Sequence, residues 1–362
     1  MIELPTPCLV IDATIVRRNL RRMAEYARVH GLALRPHTKT HKSLELAALQ
    51  LQEGGARGLT VAKLGEAEVM VSATDDLLLA YPIVDPRRAE IAARLARKVQ
   101  LRVAIDSTQA AQALATAAAA AGSTIGALVD LDVGLHRTGV QSPQEALELA
   151  RVIDAAKGLR LDGMFFFPGH LPAQPPQQID GLLAIGAVLS ETLELWRQHG
   201  LSATIVSGGS TPSAFHSHHI GHLTEIRPGT YIFNDMNCVH GGSAKLEDCA
   251  ARIVATVVST AVPGQVVLDA GSKTLSSDLC GPAAASGHGH IVEFPHAKIV
   301  KLSEEHAQVD VTACEAAPAL GSQVTIVPNH ICPCVNLQDQ VYWLEESAAP
   351  RAMKVDARGR LN

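Results

Sequence analysis

Eight short apolar runs punctuate the chain between positions 32 and 233, at 32–35, 58–62, 77–83, 101–105, 126–131, 161–167, 204–206 and 224–233. Between most of them lie longer segments with helical spacing or an alanine-rich composition, such as 86–98, 107–121, 143–157 and 177–199. Several of these open with Ser, Pro or Asp, as helix starts do. Alternation of strand and helix predicts a parallel sheet with right-handed crossovers. Eight repeats predict a closed (β/α)8 barrel, and the loss of one strand would reopen a doubly wound sheet. After about Cys238 the pattern changes. Runs at 254–262, 264–269, 297–302, 308–314, 323–327 and 340–345 are short, rich in Val and Ile, and divided by Pro, Gly or Asn. They predict an antiparallel β domain. The segment Cys8–Asp12 is strand-like as well and could pair with it. The expected division is a barrel over 13–237 and a β domain over 238–362 that takes in residues 1–12.

Composition narrows the class without giving a function. The 362 residues are 47% hydrophobic and 19% charged, which suits a globular chain with a sizeable core. A net charge of −5 supplies no basic field for nucleic acid or an anionic membrane. Aromatics at 3% argue against base-stacking platforms. No apolar run approaches the roughly 18 residues that span a bilayer, and the N-terminal residues lack the charged and apolar regions of a signal peptide. The seven cysteines are an odd number, read as reduced thiols of a cytoplasmic protein.

In such a barrel the chemistry sits where the strands end. The first strand ends in Arg35-Pro-His-Thr-Lys-Thr-His-Lys42, five of whose eight residues are basic or imidazole. Cationic neighbours favour a lysine of lowered pKa that forms Schiff bases, with Lys39 the best placed; a solvated basic turn is the plainer alternative. The fifth ends in a glycine-rich turn with Arg137, which suits an anionic oxygen or an ordinary surface turn equally well. After the sixth comes His170, an acid or base near neutrality or a loop-capping histidine. The seventh and eighth lead into Ser207-Gly-Gly-Ser-Thr211 and Arg227-Pro-Gly-Thr-Tyr231, where exposed backbone N–H groups suit phosphate. In the β domain, His330 and Cys332 stand two apart. On a strand they would share a face and reach one borderline-soft divalent ion, although spacing alone favours a buried thiol beside a histidine. Cys334 could compete with Cys332 or belong to the core. The four histidines within 215–222 read as a non-catalytic loop or helix start.

Lysine, phosphate cradle and trailing β domain together point to pyridoxal phosphate. The chain resembles the D-threonine aldolase/D-serine dehydratase family of fold-type III enzymes, relatives of alanine racemase. The resemblance runs over nearly the whole chain and rests on Arg-Pro-His-Thr-Lys-Thr-His-Lys, Gly-Gly-Ser-Thr-Pro-Ser, Arg-Pro-Gly-Thr-Tyr and Pro-Asn-His-Ile-Cys-Pro. It implies a barrel of the alanine racemase N-terminal type. It further implies that Lys39 carries the cofactor, that Arg137 lies against its ring, and that Ser207, Gly208, Gly209, Thr211, Gly229 and Thr230 hold its phosphate. Arg227 matches the arginine that meets the pyridine nitrogen in alanine racemase. His330 and Cys332 would hold a divalent metal (Mn2+, Zn2+ or Mg2+) that grips the substrate's 3-hydroxyl. A homodimer and a small D-amino acid substrate are implied as well, with no nucleic-acid or membrane partner.

Two features depart from the aldolases of that family. They commonly carry Tyr-x-Gly-x-x-Gln-His after the sixth strand, whose histidine takes the hydroxyl proton. Here the stretch reads Phe167-Pro-Gly-His-Leu-Pro-Ala173, leaving Ala173 at that place and His170 as a substitute. Several family aldolases also use His-x-Asp for metal, whereas family dehydratases use His-x-Cys, as here. The resemblance as a whole places retro-aldol cleavage to glycine and an aldehyde first. The alternatives are dehydration of D-serine or D-3-hydroxyaspartate to a 2-oxo acid and ammonia, and a non-catalytic cofactor carrier.

Overall fold

In the computed structural model, residues 4–172, 174–280 and 287–362 are described, so Ala173 lies outside the described residues. The chain divides into two compact units. One comprises Arg21–Lys39, Leu44–Gly229 and Arg360–Asn362; the other comprises Met1–Leu20, Thr40–Ser43 and Thr230–Gly359.

The eight apolar runs of the first unit become strands β2 (Ala33–Leu34), β3 (Leu59–Val61), β4 (Asp76–Leu79), β5 (Gln100–Ile105), β6 (Ile125–Asp130), β7 (Leu159–Phe165), β8 (Ile205–Gly208) and β9 (Glu225–Ile226). They pair in parallel in the order β2-β9-β8-β7-β6-β5-β4-β3. The two ends also meet. Arg57 N donates to Leu34 O at 2.8 Å, Thr60 N to Pro36 O at 2.9 Å, and His37 bridges Thr60. The sheet therefore closes into a barrel and has no free edge. Helices between the strands start where the sequence caps them. Asp85 accepts from Arg87 N before Pro86–Leu95, Ser107 from Ala110 N before Thr108–Ala121, and Ser142 from Glu145 N before Pro143–Ala155. The ninth strand is shorter than its apolar run, because Pro228 offers no N–H and Gly229 follows it.

The barrel interior is not wholly apolar. Arg35, fully buried, sends Nε to both oxygens of Glu225 at 3.0 Å and Nη1 to Asp76 at 2.7 Å. Arg102 joins Asp76 at 2.5 Å to Asp162 at 2.8 Å, and Arg160 closes on Asp162 at 2.5 Å. Gly126 makes room for this ladder, since a Cβ there would stand 2.4 Å from Asp162 Oδ2. Charges buried this way depend on complete pairing. We expect Asp76→Ala, which strips two buried guanidinium groups of a partner, to lower unfolding free energy by about 3–5 kcal/mol in urea titration. A loss below about 1 kcal/mol would show that the ladder carries no structural weight.

The second unit is built on β1 (Cys8–Asp12), β10 (Ala251–Ser259), β11 (Gln265–Leu268), β12 (His290–Ile291), β13 (Lys298–Leu302), β14 (Ala307–Asp310), β15 (Gln323–Val327), β16 (Gln340–Leu344) and β17 (Arg351–Lys354). The N-terminal strand β1 does pair here, antiparallel to β10 and parallel to β16. The expected purely antiparallel domain is thus a mixed sheet, because β1 is inserted between two strands of the later chain. Among the described residues no helix is long and apolar enough to cross a membrane.

Candidate functional site

In the barrel unit, Lys39 sits in the 3₁₀ turn Thr38–Thr40 directly after β2. The turn is pinned to the neighbouring strand. Thr38 Oγ1 donates to Thr60 O at 3.2 Å, and Thr60 Oγ1 donates to Arg35 O at 2.8 Å. Lys39 itself is exposed, and its ammonium has no hydrogen-bond or ion-pair partner among the described residues. A primary amine held at a strand end and committed to no protein group is what covalent capture of an aldehyde requires.

The loop after β6 is shaped by Asp132. Its Oδ1 accepts from Gly134 N at 2.9 Å and His136 N at 3.0 Å, while Oδ2 lies 2.7 Å from His136 Nδ1. Burial opposes the charged carboxylate, but these bonds prevail and hold it at about 2. The loop presents Arg137, exposed, with its guanidinium 4.8 Å from the centre of the Phe167 ring. His170 packs on the same loop, its Nε2 2.9 Å from where a Cβ on Gly134 would stand. It is exposed as well.

The loop after β8 has the properties of an anion cradle. Gly208 lies against Phe166, where a Cβ would overlap the ring, and Gly209 adopts φ +87°. The N–H groups of Gly209 and Ser210 meet no acceptor among the described residues. Gly229 N donates to Thr211 Oγ1 at 3.2 Å, which ties the Arg-Pro-Gly-Thr segment to this loop. Unpaired backbone donors beside a left-handed glycine fit a phosphate group. The Ser207 side chain is committed elsewhere. Its hydroxyl donates to Glu225 Oε1 at 2.6 Å and accepts from Arg227 Nη1 at 2.6 Å. Arg227 also donates to Phe166 O at 2.7 Å and lies 3.7 Å from the centre of the Phe165 ring. Burial draws this guanidinium down to about 9, against the favourable charges of Glu225 and Asp130. The salt-bridge ladder of the barrel therefore ends at Arg227, through Glu225 and Ser207.

In the β unit, the sequence reading lets His330 and Cys332 share a face if they lie on a strand, and the structure places them on another element. Strand β15 ends at Val327, and His330 is the N-cap of the helix Ile331–Asn336. Pro333, which would break a strand ladder, is tolerated in the first helical turn. Asp235 fixes the turn by accepting from Ile331 N at 3.1 Å, while its other oxygen accepts from Cys238 N at 3.1 Å. The two side chains still meet. Burial disfavours the charged His330 ring, yet its hydrogen bond to Cys332, the Cys332 charge and the Asp278 carboxylate outweigh that and raise it to about 9. Cys332 Sγ lies 3.3 Å from Thr40 Oγ1 and 3.8 Å from Thr230 Oγ1. Cys334 is buried, with Sγ donating to Leu275 O at 3.1 Å, and belongs to the core.

His330 Nδ1 lies 2.6 Å from Asp278 Oδ2. That bond leaves Nε2, once a metal displaces its proton, as the ligating atom, the usual carboxylate–histidine arrangement around a metal ligand. A nitrogen and a sulfur suit a borderline-soft divalent ion. Among the described residues no group of three or more His, Cys, Asp or Glu converges, so the pair fits an ion with open positions. Asp278→Ala is expected to weaken metal binding about 10–100-fold in a chelator competition. Unchanged affinity would remove Asp278 from the site. Neither Asp278, 52 positions from His330, nor Asp235 has a local signal that links it to the histidine.

Residues 11–236 match the alanine racemase N-terminal domain, and residues 250–344 the putative serine dehydratase domain. The D-threo-3-hydroxyaspartate dehydratase of Delftia sp. (strain HT23) is 34% identical over 92% of this chain and 92% of its own. The solved D-threonine aldolase of Filomicrobium marinum superposes with a TM-score of 0.90 at 31% identity, covering 99% of this chain and 97% of the other. A solved D-threo-3-hydroxyaspartate dehydratase mutant, with a cysteine replaced by alanine, is in the metal-free form and superposes at 0.89 with 29% identity over 97% of each chain. A second mutant of a D-threo-3-hydroxyaspartate dehydratase replaces a histidine two positions before that cysteine.

Proposed function

Because the chain belongs to the alanine racemase-like family of D-threonine aldolases and D-serine dehydratases, we propose that it is a pyridoxal-phosphate- and divalent-metal-dependent lyase of D-3-hydroxy amino acids that eliminates water. The observation that carries the reading is the donor pair His330 and Cys332, backed by Asp278. The same pair of residue types at the same spacing is mutated in the solved dehydratase, whose cysteine mutant is metal-free.

We assign the cofactor to the barrel, residues 13–237, and the metal to the β domain, residues 238–362 with 1–12. When bound, the cofactor supplies an electron sink for charge at the substrate Cα, and the metal a Lewis acid at its 3-hydroxyl. Lys39 would hold the cofactor through its aldehyde carbon and, once the substrate's amine has displaced it there, its freed amine would take the Cα proton. Gly209 and Ser210 grip the phosphate through their N–H groups, with Thr211, Gly229 and Thr230 shaping the cradle. Ser207 would act through Arg227, whose guanidinium it holds and which would meet the cofactor ring; Arg137 would lie against the same ring. His330 and Cys332 hold the metal. No group at position 173 takes a hydroxyl proton, because alanine has none to offer. With seven cysteines, an odd number read as reduced thiols, we place the enzyme in the cytoplasm, as a homodimer.

One observation favours the second reading, retro-aldol cleavage. The solved aldolase covers 99% of this chain, and His170, exposed on its loop beside Gly134, has a free imidazole to act as hydroxyl base. Ammonia release from D-serine and D-3-hydroxyaspartate tests the proposal. It is expected to stop on chelation and to return with added Zn2+. Ammonia release that is indifferent to chelation, or none from any D-3-hydroxy amino acid, overturns it. Full cofactor occupancy without turnover points to a carrier instead.

A further inference from the structure

At the end of the barrel where the strands begin, opposite Lys39, the loops before β3, β4, β5 and β6 and the start of β7 surround an open cleft of about 820 Å³. Arg57, Arg97, Lys98 and Arg160 line it. The first three side chains have no ion-pair or hydrogen-bond partner among the described residues. Arg160 bonds Asp162 with its side chain 46% exposed. Two carboxylates share the wall. Asp76 is already held by Arg35 and Arg102, and Asp75 is the single one without a side-chain partner. The Ser123 hydroxyl oxygen is buried here with no hydrogen-bond partner. A chain of net charge −5 thus gathers three unpaired cations and an unsatisfied hydroxyl around one concavity. Like charges brought together without partners cost free energy that a bound anion recovers. A buried hydroxyl without a partner likewise calls for a ligand atom or water.

We infer that this cleft is a binding site for a multivalent oxyanion of the di- or triphosphate kind. Guanidinium forks match phosphate oxygens in pairs, and Arg57 and Arg97 are free to do so. Lys98 adds a mobile point charge, and Ser123 a donor at the floor. The volume lies within the usual range for small-molecule clefts and exceeds what one orthophosphate fills. The site is separate from the Gly209–Ser210 cradle at the opposite strand ends, and it does not depend on the reaction proposed above.

The test uses cofactor-loaded protein, in which the cradle is filled. Tripolyphosphate and orthophosphate are titrated separately by calorimetry at about 150 mM salt, where diffuse surface attraction is screened within ~8 Å. Tripolyphosphate is expected to bind one per chain, at least ~10-fold tighter than orthophosphate. The double substitution Arg97→Ala with Lys98→Ala should weaken it at least ~10-fold and leave cofactor absorbance and melting temperature unchanged. Arg160 stays intact because it belongs to the buried ladder. Lys98→Gln alone, an exposed change that cannot unfold the barrel, should weaken binding about threefold. No binding at that salt, equal binding of the two anions, or undiminished binding in either variant overturns the site.

Discussion

Replacing Lys39 with alanine is expected to abolish turnover, by about 10⁴-fold or more in kcat/KM. In the proposed reaction the loss is large because one amine would perform two tasks, capture of the cofactor and, once released, movement of the Cα proton, and no second lysine can stand in. Lys42 is nearest in sequence, but it is buried and forms part of the other unit, where its carbonyl accepts from Ala357 N at 2.9 Å. The phosphate cradle is untouched by the change, so the cofactor should still bind, now without a covalent link. Borohydride reduction followed by mass spectrometry reads this directly. The parent chain retains cofactor mass on the peptide with Lys39, and the variant retains none. Lys39→Arg should not rescue, since guanidinium stays protonated and cannot form the bond. Activity within tenfold of the parent would remove Lys39 from the site.

The second large effect falls on Cys332. Cys332→Ala is expected to leave the purified protein with no stoichiometric metal and to lower turnover by about 10²–10⁴-fold, the range that several kcal/mol of Lewis-acid stabilisation represents. Folding should be spared, because the side chain is only partly buried and its contacts with Thr40 and Thr230 are weak sulfur contacts. Elemental analysis and circular dichroism separate the two effects. Full metal content in the variant would show that the thiol is no ligand. Cys334→Ala is the control. It sits in the core against Leu275 O and should cost stability without altering metal content.

The barrel was legible in the sequence because its strands are buried on both faces and read as continuous apolar runs. Caps did the same for helices, as Ser107 and Gly122 bracket Thr108–Ala121. Even the N-terminal strand could be placed, by its composition. Long-range pairing was hidden. Nothing near Arg35 announces Glu225, 190 positions away, and so the arginine of a basic motif turned out to lie inside the barrel. For the same reason the Ser207 hydroxyl, read with a phosphate motif, serves Glu225 and Arg227. The strand geometry considered for His330 and Cys332 does not form, because Pro333 cannot join a strand ladder and a carboxylate far upstream, Asp235, holds the helix start. Strands as short as His290–Ile291 carry too few residues for any period.

Whether the bond between Cα and Cβ survives decides the central claim. D-Threonine carrying ¹³C at both carbons is incubated with the metal-loaded enzyme and followed by ¹³C NMR. Water elimination predicts 2-oxobutyrate in which the two labels remain coupled to each other. Uncoupled signals of glycine and acetaldehyde would contradict it, and would return the enzyme to the aldolases with His170 as its base.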